Sequence, residues 1–360
     1  MIQLNTETTL PYALNRVGVL MTADPTEPLE AEGVLNPATA WGSDGELYLF
    51  PRMVAAGNVS RIGRARIVIE DGVPVSVERQ GVVLAPDEGF ERGAHNAGVE
   101  DPRISFVPEL GVHVMTYVAY GPLGPKPALA VSTDAISWRR LGPLHFAYEP
   151  QLGTDLNFFP NKDLVFFPEV VPGPDGRPSF AMLHRPMWDL DWLRPGEGAP
   201  APAGVTDRRP SIWIAYVDAL EARRDLTALT SLRHSAPVAG PEMRFEAAKI
   251  GAGPPPVRVP EGWLLIHHGV TGPVAKGFEL SHGAVYRAGG MLLDPHDPGR
   301  VLARSAEPWL SPETPEETVG TLGNVVFPTA IERIAGTDYV FYGMADSTIG
   351  VAALERTAAD

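Results

Sequence analysis

Two acidic residues and an arginine lie in one six-residue segment, Gly98-Val99-Glu100-Asp101-Pro102-Arg103, directly before the apolar run Ile104-Ser105-Phe106-Val107. The proline restricts the backbone, so the segment predicts a rigid turn. Neighbouring side chains of an extended chain point to opposite sides, so one carboxylate could face a pocket while the other anchors the loop. An ordinary surface turn would have the same composition. A catalytic acid at this position therefore depends on what the rest of the chain places beside it.

Basic residues recur at the ends of predicted strands, although the chain carries a net charge of −15. Together they would form a pocket for an anion, because Arg binds phosphate in bidentate geometry and Lys adds a compact charge. Salt bridges to the abundant carboxylates are the alternative for each residue taken singly. The candidates are Arg52, Arg103, Lys162, His184, Arg185, Arg258, His267 and His268.

Other kinds of catalytic site find little support. The chain has no cysteine, which excludes disulfides and thiolate metal sites. His267 and His268 are adjacent and would face opposite sides of a strand, and no HExxH spacing occurs among the nine histidines. Gly-rich phosphate loops and a GxSxG nucleophile motif are also absent. The sequence favours carboxylate chemistry beside an anion pocket, with no metal and no organic cofactor.

Composition restricts the partners and the location. The acidic balance argues against nucleic acid or an anionic membrane as the main partner. The segment Met1–Leu20 has neither a basic start nor a continuous apolar stretch, so it does not have the pattern of a signal peptide. No later segment approaches the length of a membrane span. We expect a soluble, cytoplasmic protein.

Short strand-like runs separated by Gly, Pro and Asp turns dominate the chain and predict an all-β fold. The best helical candidate, Val217–Leu229, is short. The chain has 37 Gly and 37 Pro, which is typical of short strands joined by tight turns. The predicted strands are Glu46–Phe50, Val112–Tyr120, Ala128–Ser132, Leu164–Phe167, Ser179–Leu183, Ile212–Val217, Trp263–His267 and Tyr339–Tyr342.

A weak internal repeat refines this prediction. Five segments share a polar or Gly entry followed by Pro and small or apolar residues, mostly at intervals of about 60 to 90 residues. Each interval has room for a four-stranded sheet, which favours a β-propeller over a two-sheet sandwich, and a single domain over 1–360. The segments are Asn36-Pro37-Ala38-Thr39, Asp101-Pro102-Arg103-Ile104, Lys162-Asp163-Leu164-Val165, Gly253-Pro254-Pro255-Pro256 and Asn324-Val325-Val326-Phe327-Pro328.

One long segment, Met187–Pro210, interrupts the pattern with Pro, Gly and Ala, and carries Trp188 and Trp192 near its start. A loop of this length is usually functional or mobile. It could be a lid with aromatic platforms for a sugar or a contact between subunits, and a solvated insertion is the alternative.

These motifs, in this order, resemble glycoside hydrolase family 130, the β-mannoside phosphorylases and related β-mannosidases. The resemblance runs from about Asn36 to Ala353. It is carried by Gly98–Arg103, Asn161-Lys162-Asp163 with Phe167-Pro168-Glu169, Leu183-His184-Arg185-Pro186, Gly251-Ala252-Gly253-Pro254-Pro255-Pro256, Gly262-Trp263-Leu264-Leu265 with His268-Gly269-Val270, Tyr286 with Leu292-Leu293-Asp294, Asn324–Pro328, and Tyr342-Gly343-Met344-Ala345-Asp346.

The resemblance implies a five-bladed β-propeller with Asp101 as the general acid, which in this family is thought to act through the 3-hydroxyl of the sugar. Inorganic phosphate would then attack the anomeric carbon from the opposite face and give α-mannose 1-phosphate with inversion. It also implies two sets of binding residues, with Glu100 bracing the loop. The phosphate-side set is Arg185, Arg258, His268, Tyr286 and Lys162, where Arg258 stands at a position that is Lys in many members. The sugar-side set is Asn36, Arg52, Arg103 and Asp346.

The leading hypothesis is therefore an inverting phosphorylase for a β-1,4- or β-1,2-linked mannoside, with phosphate as co-substrate and a possible homo-oligomeric state. A β-mannosidase is the first alternative, and it would need a second carboxylate to activate water. Glu169, Glu316 and Glu317 are the candidates for that carboxylate. A non-catalytic glycan-binding propeller is the second alternative.

Overall fold

The computed structural model describes residues 10–190, 195–196, 201–274 and 281–357. Nearly all of its regular structure is β-strand, which confirms the all-β prediction. Within these ranges, no helix has the length and hydropathy of a transmembrane span.

The described strands, numbered along the chain, form five antiparallel meanders. The first contains β2 (Gly33–Trp41), β3 (Leu47–Ala55), β4 (Val59–Glu70) and β5 (Val73–Leu84). The second contains β6 (Ala97–Val107), β7 (Val112–Gly121), β8 (Gly124–Ser132) and β9 (Arg139–Pro143). The third contains β11 (Asn161–Pro172), β12 (Pro178–Pro186), β13 (Ile212–Asp218) and β14 (Ser231–Ala239), with the short β10 (His145–Phe146) parallel to β14. In the fourth, β15 (Lys249–Ala252) and β16 (Val257–Val259) both pair with β17 (Gly262–Thr271), followed by β18 (Val285–Leu293) and β19 (Val301–Arg304). The fifth contains β20 (Val326–Ile334), β21 (Thr337–Met344), β22 (Thr348–Arg356) and, at its outer edge, β1 (Tyr12–Thr22).

A short parallel pairing joins the first two meanders into one eight-stranded sheet. Val59 and Ser60 of β4 lie opposite Ala97 and Gly98 of β6. The backbones approach so closely here that a Cβ on Gly98 would lie 2.2 Å from the carbonyl oxygen of Ser60, and Gly98 has a φ of +119°. Only glycine fits this position, because it has no Cβ and tolerates positive φ. The start of β6, which carries Asp101, is thereby fixed against the first meander.

The strands predicted from the sequence overlap observed strands, but most of the observed strands are longer. Leu164–Phe167 is only the centre of β11, and the run Glu46–Phe50 precedes a continuation of β3 to Ala55. The added residues include Arg52 and Lys162, which a search for apolar runs leaves out. The strands therefore extend into the polar region where candidate site residues lie.

The helix predicted over Val217–Leu229 is only partly present. Residues up to Asp218 belong to β13, α1 spans Ala219–Arg224, and a 3₁₀-helix spans Leu226–Thr230. Asp218 ends the strand and caps the helix, because its carboxylate accepts from two backbone N–H groups of the first turn. The second described α-helix, α2, is the single turn Pro315–Thr318.

Five hydrophobic clusters lie between meanders. On β11, Leu164 and Phe166 pack into the cluster shared with the second meander, whereas Val165 and Phe167 pack into the cluster shared with the fourth. Alternate side chains of β11 thus pack against the meanders on its two sides. A strand that is buried on both faces in this way needs a continuous apolar run. The five clusters lie between the first and second, second and third, third and fourth, fourth and fifth, and fifth and first meanders.

Four meanders contain a buried glutamate before their first strand that binds an arginine on their outermost strand. None of these glutamates is more than 1% exposed. In three of them, a tyrosine or histidine of the second strand also contacts the carboxylate, so one side chain ties three parts of the sheet together. The groups are Glu30 with Arg79, Glu91 with Arg140 and Tyr117, Glu246 with Arg304 and His267, and Glu317 with Arg16 and Tyr342.

Replacing Glu246 by glutamine is expected to destabilise the protein at neutral pH and to have less effect in acid. Burial alone would raise the pKa of Glu246, but His267, Arg304 and the N–H of Glu242 outweigh it and lower the pKa to about 2. The folded pKa lies below the value of about 4.3 for unfolded chains, so the carboxylate contributes about 3 kcal/mol above that pH. This contribution is lost as the pH falls from about 4 to 2.

Urea unfolding of the wild type and of Glu246→Gln at pH 7 and pH 3 measures the difference. The exposed Glu242, which also lies 3.4 Å from Arg304, gives the matched control Glu242→Gln. An equal loss of stability in both variants, or a loss independent of pH, would contradict the role of the buried carboxylate.

The interrupting segment Met187–Pro210 is only partly described, and Trp192 lies outside the described residues. Trp188 is 2% exposed and packs edge-on against Phe159 at 5.1 Å and Trp213 at 5.4 Å between ring centroids. The expectation that Trp188 offers a platform for a sugar is therefore wrong. Its indole fills the cluster between the second and third meanders.

Candidate active site

The first strands of the first three meanders each contain a β-bulge with an Asn or Asp at positive φ. These residues are Asn36 in β2, Asp101 in β6 and Asp163 in β11, with φ of 43°, 49° and 55°. The pairing with the next strand shifts register at each of them. Asn and Asp tolerate this conformation better than other residues with a Cβ. The repeated polar entry seen in the sequence is, in three of its five copies, a bulge that redirects a side chain.

The bulge changes the prediction for the Glu-Asp pair. β6 runs unbroken from Ala97 to Val107, so the segment is a bulged strand and not a turn before a strand. Both carboxylates contact the same guanidinium, with Arg52 Nη1 3.0 Å from Asp101 Oδ1 and Nη2 2.8 Å from Glu100 Oε1. The positive φ at Asp101 interrupts the alternation of side-chain directions that is expected of an extended chain. The expectation that the two side chains point apart is therefore wrong.

Asp101 is 8% exposed and accepts two hydrogen bonds on one oxygen. Asn36 Nδ2 donates to Asp101 Oδ1 at 2.9 Å, and Arg52 donates to the same atom. Burial alone would raise the pKa of Asp101, but Arg52, Lys162 and Asn36 outweigh it and lower the pKa. These partners therefore favour the ionised form of Asp101.

Glu100 lies between Arg52, which binds Asp101, and Lys162. Its other oxygen, Oε2, accepts from Lys162 Nζ at 3.1 Å, and the ammonium lies 5.1 Å from the ring centre of Tyr120. Glu100 is 2% exposed and lines a cavity. It was expected to brace a loop, and in the structure it connects Arg52 to Lys162.

Asp163 organises the second group. Its two oxygens contact Arg185 and Arg103, the latter at 3.5 Å, and His268 Nε2 also lies 3.5 Å away. Burial alone would raise the pKa of Asp163, but Arg185, His268 and Arg103 outweigh it and lower the pKa strongly. Arg103 was expected on the sugar side. It is 1% exposed and lies behind this group.

His268 is a buried ring with no hydrogen bond on either nitrogen within the described part of the chain. Burial lowers its pKa well below the usual value, so the ring is neutral and retains one N–H donor. Its ring stacks with that of Tyr286 at 6.2 Å between centroids. Unpaired buried polar atoms are costly, so this ring is available to a ligand or to a water molecule.

Lys249 is a candidate site residue that sequence reasoning missed. It is 9% exposed, and its ammonium lies 5.0 Å from the ring centre of Tyr286. Burial, with a smaller contribution from Arg185, lowers its pKa to about 7. The sequence does contain a signal, because Lys249 begins the strand that leads into the motif Gly251–Pro256.

Arg258 does not join this group. The prolines at 254–256 end β15, and the chain resumes as β16 at the other end of β17. Arg258 lies opposite Trp263, whereas Gly251 lies opposite His268, a separation of roughly 16 Å along the strand. The exposed guanidinium stacks 4.9 Å from a ring of Trp263 and donates to Pro295 O at 3.0 Å. Arg258 therefore lies apart from Arg185, His268 and the other residues that were expected with it on the phosphate side.

Gly251 allows the side chains of Asp163 and His268 to lie close to the backbone of β15. A Cβ at Gly251 would lie 2.0 Å from Asp163 Oδ2 and 2.5 Å from His268 Cε1. No side chain fits there unless the carboxylate and the ring move. The glycine of the Gly-Ala-Gly motif is thus explained by the packing of the site.

A cavity of about 280 Å³ is lined by Arg52, Glu100 and Lys162 from the surroundings of Asp101 and by Tyr286, which stacks on His268. Asp346, at a φ of 50°, lines it between Arg52 and Tyr286. The lining residues that carry polar groups are Glu32, Arg52, Asn58, Asn96, Glu100, Tyr120, Lys162, Ser281, Tyr286, Thr321 and Asp346. Within the described ranges, no group of three His, Asp or Glu side chains is placed to hold a metal ion.

The site thus places a buried carboxylate, Asp101, next to a cavity whose wall contains Arg52, Lys162 and Tyr286. The sequence profile of a family described as Glyco_hydro_130, beta-1,4-mannooligosaccharide phosphorylase, matches residues 205–358. A 1,2-β-oligomannan phosphorylase from Thermoanaerobacter sp. is 33% identical over 336 residues, which are 91% of this chain and 91% of that protein. A β-1,2-mannobiose phosphorylase from the same organism is 31% identical over 303 residues, covering 83% of this chain and 78% of that protein.

A solved structure, β-1,2-mannobiose phosphorylase from Listeria innocua in complex with β-1,2-mannobiose, matches the fold with a TM-score of 0.70. The two chains are 20% identical, and the match covers 95% of this chain and 96% of the other. At this identity, the likeness supports the fold alone.

Proposed function

The chain belongs to glycoside hydrolase family 130, and from this premise we propose that it is an inverting mannoside phosphorylase. It cleaves a β-mannosidic bond with inorganic phosphate and releases α-mannose 1-phosphate. The observation that carries the proposal is a cavity whose wall contains Arg52, which binds Asp101, together with Lys162 and Tyr286.

The phosphate site is formed by Arg185, Lys249, His268, Tyr286 and Lys162. Two of them, Lys249 and His268, have no carboxylate hydrogen bond among the described residues, so their donors are available to a ligand. Arg185, Lys162 and Lys249 would favour a doubly charged anion in this buried setting, where charge-assisted hydrogen bonds are strong. The same cations offset the repulsion between phosphate and Asp101.

Asp101 acts as the proton donor to the leaving oxygen, with Asn36 and Arg52 holding its carboxyl group. Phosphate is already a charged nucleophile, so one acid next to the scissile bond is sufficient. An inverting hydrolase requires a second carboxylate that activates water. The three candidates do not line the cavity: Glu169 and Glu316 are exposed, and Glu317 is bound by Arg16 and Tyr342.

We further propose that the five meanders are the blades of a five-bladed propeller. Two observations support this arrangement: each meander shares a hydrophobic cluster with two others in a cycle, and four meanders repeat the buried Glu–Arg pair. Their first strands carry Asn36, Asp101, Asp163 and Lys249, so the site residues would lie around the central axis.

For the linkage we propose β-1,2, because the two relatives that match most of the chain carry β-1,2 names. The family description names β-1,4-mannooligosaccharides, so both linkages belong in the test.

The purified protein is incubated with β-1,2- or β-1,4-mannobiose, with and without inorganic phosphate. We expect α-mannose 1-phosphate to form only with phosphate, and faster from the β-1,2 disaccharide. Phosphorus and proton NMR identify the product and its anomer. Equal release of free mannose in both buffers would favour the hydrolase, and binding without turnover in either buffer would favour a glycan-binding protein.

A further inference from the structure

The turn between β3 and β4 lies at the cavity and is held from two sides. Glu32, which precedes β2, accepts from the backbone N–H groups of Gly57 and Asn58 at 2.7 and 3.1 Å. On the other side, the carbonyl oxygens of Gly57 and Asn58 accept from Asn96 N at 2.9 Å and from Ala97 N at 3.1 Å. The turn is thus fixed against both the first and the second meander.

The side chains of Asn58 and Asn96 form a pair across these two meanders. Asn58 Nδ2 donates to Asn96 Oδ1 at 3.0 Å, and both residues line the cavity. Their φ values are 55° and 46°, a conformation that asparagine tolerates. An amide has one acceptor oxygen and two N–H donors. Because the oxygen of Asn96 faces Asn58, the N–H groups of Nδ2 are the donors that Asn96 offers to a ligand.

A chain of four hydrogen bonds places the groups of the cavity wall in order. Its members all line the cavity, and in sequence along the chain they are Asn96, Asn58, Arg52, Glu100 and Lys162. The four distances are 3.0, 3.2, 2.8 and 3.1 Å. Asp101 is attached at the middle, because Arg52 Nη1 donates to it at 3.0 Å. The acid therefore lies between a cation at one end of the chain and an amide at the other.

This order indicates which part of the substrate each end meets. In an inverting displacement, the nucleophile and the leaving group lie on opposite faces of the sugar ring. The proposed function places phosphate at the Lys162 end and the leaving oxygen beside Asp101. The leaving sugar then extends towards the Asn96 end.

The wall at the Asn96 end has the chemistry that a neutral sugar requires. Thr321 Oγ1 donates to the carbonyl oxygen of Glu32 at 3.2 Å, and Glu32 in turn holds the backbone of Asn58. Thr321 and Glu32 also line the cavity. Amide, hydroxyl and carboxylate groups thus lie together on this part of the wall, and such groups bind hydroxyl groups through hydrogen bonds.

We propose that Asn96 is a specificity-determining residue, whose side-chain amide binds a hydroxyl group of the leaving sugar. The inference rests on the proposed phosphorylase function. Asn58 acts as a positioning residue, because it holds the amide of Asn96 on one side and the guanidinium of Arg52 on the other. An amide that is fixed before the ligand arrives loses little conformational freedom on binding, which favours discrimination between similar sugars.

The reverse reaction tests this proposal, because it uses the two sugars as separate substrates. Wild type and Asn96→Gly receive α-mannose 1-phosphate as donor and mannose as acceptor, and the release of phosphate is measured. Glycine removes the amide and tolerates the φ of 46°. We expect kcat/KM for mannose to fall by about 10-fold, which corresponds to the loss of one hydrogen bond, while the KM for α-mannose 1-phosphate is unchanged. An unchanged kcat/KM for mannose overturns the proposal.

Deoxy analogues of mannose distinguish a direct contact from a structural effect. Each analogue lacks one hydroxyl group and retains the one that receives the mannosyl group. With the wild type, one analogue should react about 10-fold more slowly than mannose, and with Asn96→Gly the same analogue should react as fast as mannose. If Asn96 only supported Asn58, the variant would slow mannose and all analogues by the same factor. Ratios that are equal in the two enzymes therefore overturn the proposal.

The matched control is Asp71→Gly, which removes a side chain at a φ of 50° in the exposed turn between β4 and β5. Its rates should equal those of the wild type with every acceptor. If Asn96→Gly does not fold, Asn96→Asp decides, because it keeps an oxygen for Asn58 and tolerates positive φ. Wild-type ratios among the deoxy analogues in that variant overturn the inference, and altered ratios support it.

The two levels of the proposal fail in different ways. If the wild type releases no phosphate from α-mannose 1-phosphate with mannose or with either mannobiose as acceptor, the proposed function is wrong, and this inference falls with it. If the wild type forms the disaccharide but the ratios among acceptors do not change in the variant, only the role of Asn96 is wrong.

Discussion

Replacing Asp101 by asparagine is expected to lower kcat for phosphorolysis by about 10³-fold while the fold is retained. The amide keeps an oxygen that accepts from Asn36 and Arg52, but it cannot pass a proton to the leaving oxygen. Asparagine also tolerates the φ of 49°, so the bulge in β6 is preserved. Initial rates of mannose 1-phosphate formation and a thermal unfolding curve measure the two expectations.

Asp71→Asn is the matched control, because Asp71 has a similar φ of 50° in the exposed turn between β4 and β5. It makes the same chemical change in the same backbone conformation, away from the cavity. If Asp101→Asn retained more than about a tenth of the wild-type kcat, Asp101 would not be in the path of the proton.

Replacing Lys249 by methionine is expected to raise the KM for phosphate by between about 10- and 100-fold, which corresponds to the loss of one or more hydrogen bonds to a charged group. Methionine has a similar length and removes a buried ammonium that has no ion pair among the described residues. The fold should therefore tolerate the change. Steady-state rates at varied phosphate and fixed, saturating mannoside measure the effect.

Arg258→Met is the matched control for Lys249→Met. It removes a cation of the same meander that stacks on Trp263 at the far end of β17. We expect its KM for phosphate to equal that of the wild type. The reverse result, with a large effect at Arg258 and none at Lys249, would return the phosphate contact to the residue that the family resemblance first suggested.

The sequence alone does not show which of these two cations lies near the cavity. Lys249 and Arg258 lie nine positions apart on either side of the same proline run, and both belong to strands that pair with β17. The sequence does not reveal which end of β17 faces the cavity, because that depends on where the prolines divide the strand. The resemblance suggested a cation near this motif, and in the structure it is Lys249 that lies beside Tyr286.

The acid was easier to predict than its surroundings. Asp101, Arg52 and Asn36 were named from the sequence, and the structure brings them within hydrogen-bond distance. The positive φ that aligns Glu100 with Asp101 was not visible, because an Asn or Asp before an apolar run also fits an ordinary turn. The two arginine contacts of Asp163 were also not visible, because Arg103 and Arg185 lie on different strands far from it in the sequence.

The all-β fold class could be predicted from short apolar runs and turn residues, but the buried Glu–Arg pairs that hold four of the sheets together could not. Glu91 and Arg140 are separated by three strands, and nothing in their spacing distinguishes them from exposed charges. Burial is what distinguishes these pairs, because a glutamate that is 0% exposed requires charged or polar partners. Burial of a charged residue is a property of the assembled sheets, which a local pattern does not encode.

The pairing of β1 with β22 has a consequence for the order of assembly. Tyr12 lies opposite Arg356, so β1 is synthesised long before its partner strand exists. Until β22 emerges, the clusters of Leu14 and Leu20 lack the residues that β22 contributes, and β1 has no neighbouring strand to hold Arg16 beside Glu317. Contacts so distant in the chain form slowly, and unpaired strands are prone to aggregate. We expect the docking of β1 to be the last step of folding, so a chain stalled on the ribosome before Thr348 would remain bound by chaperones.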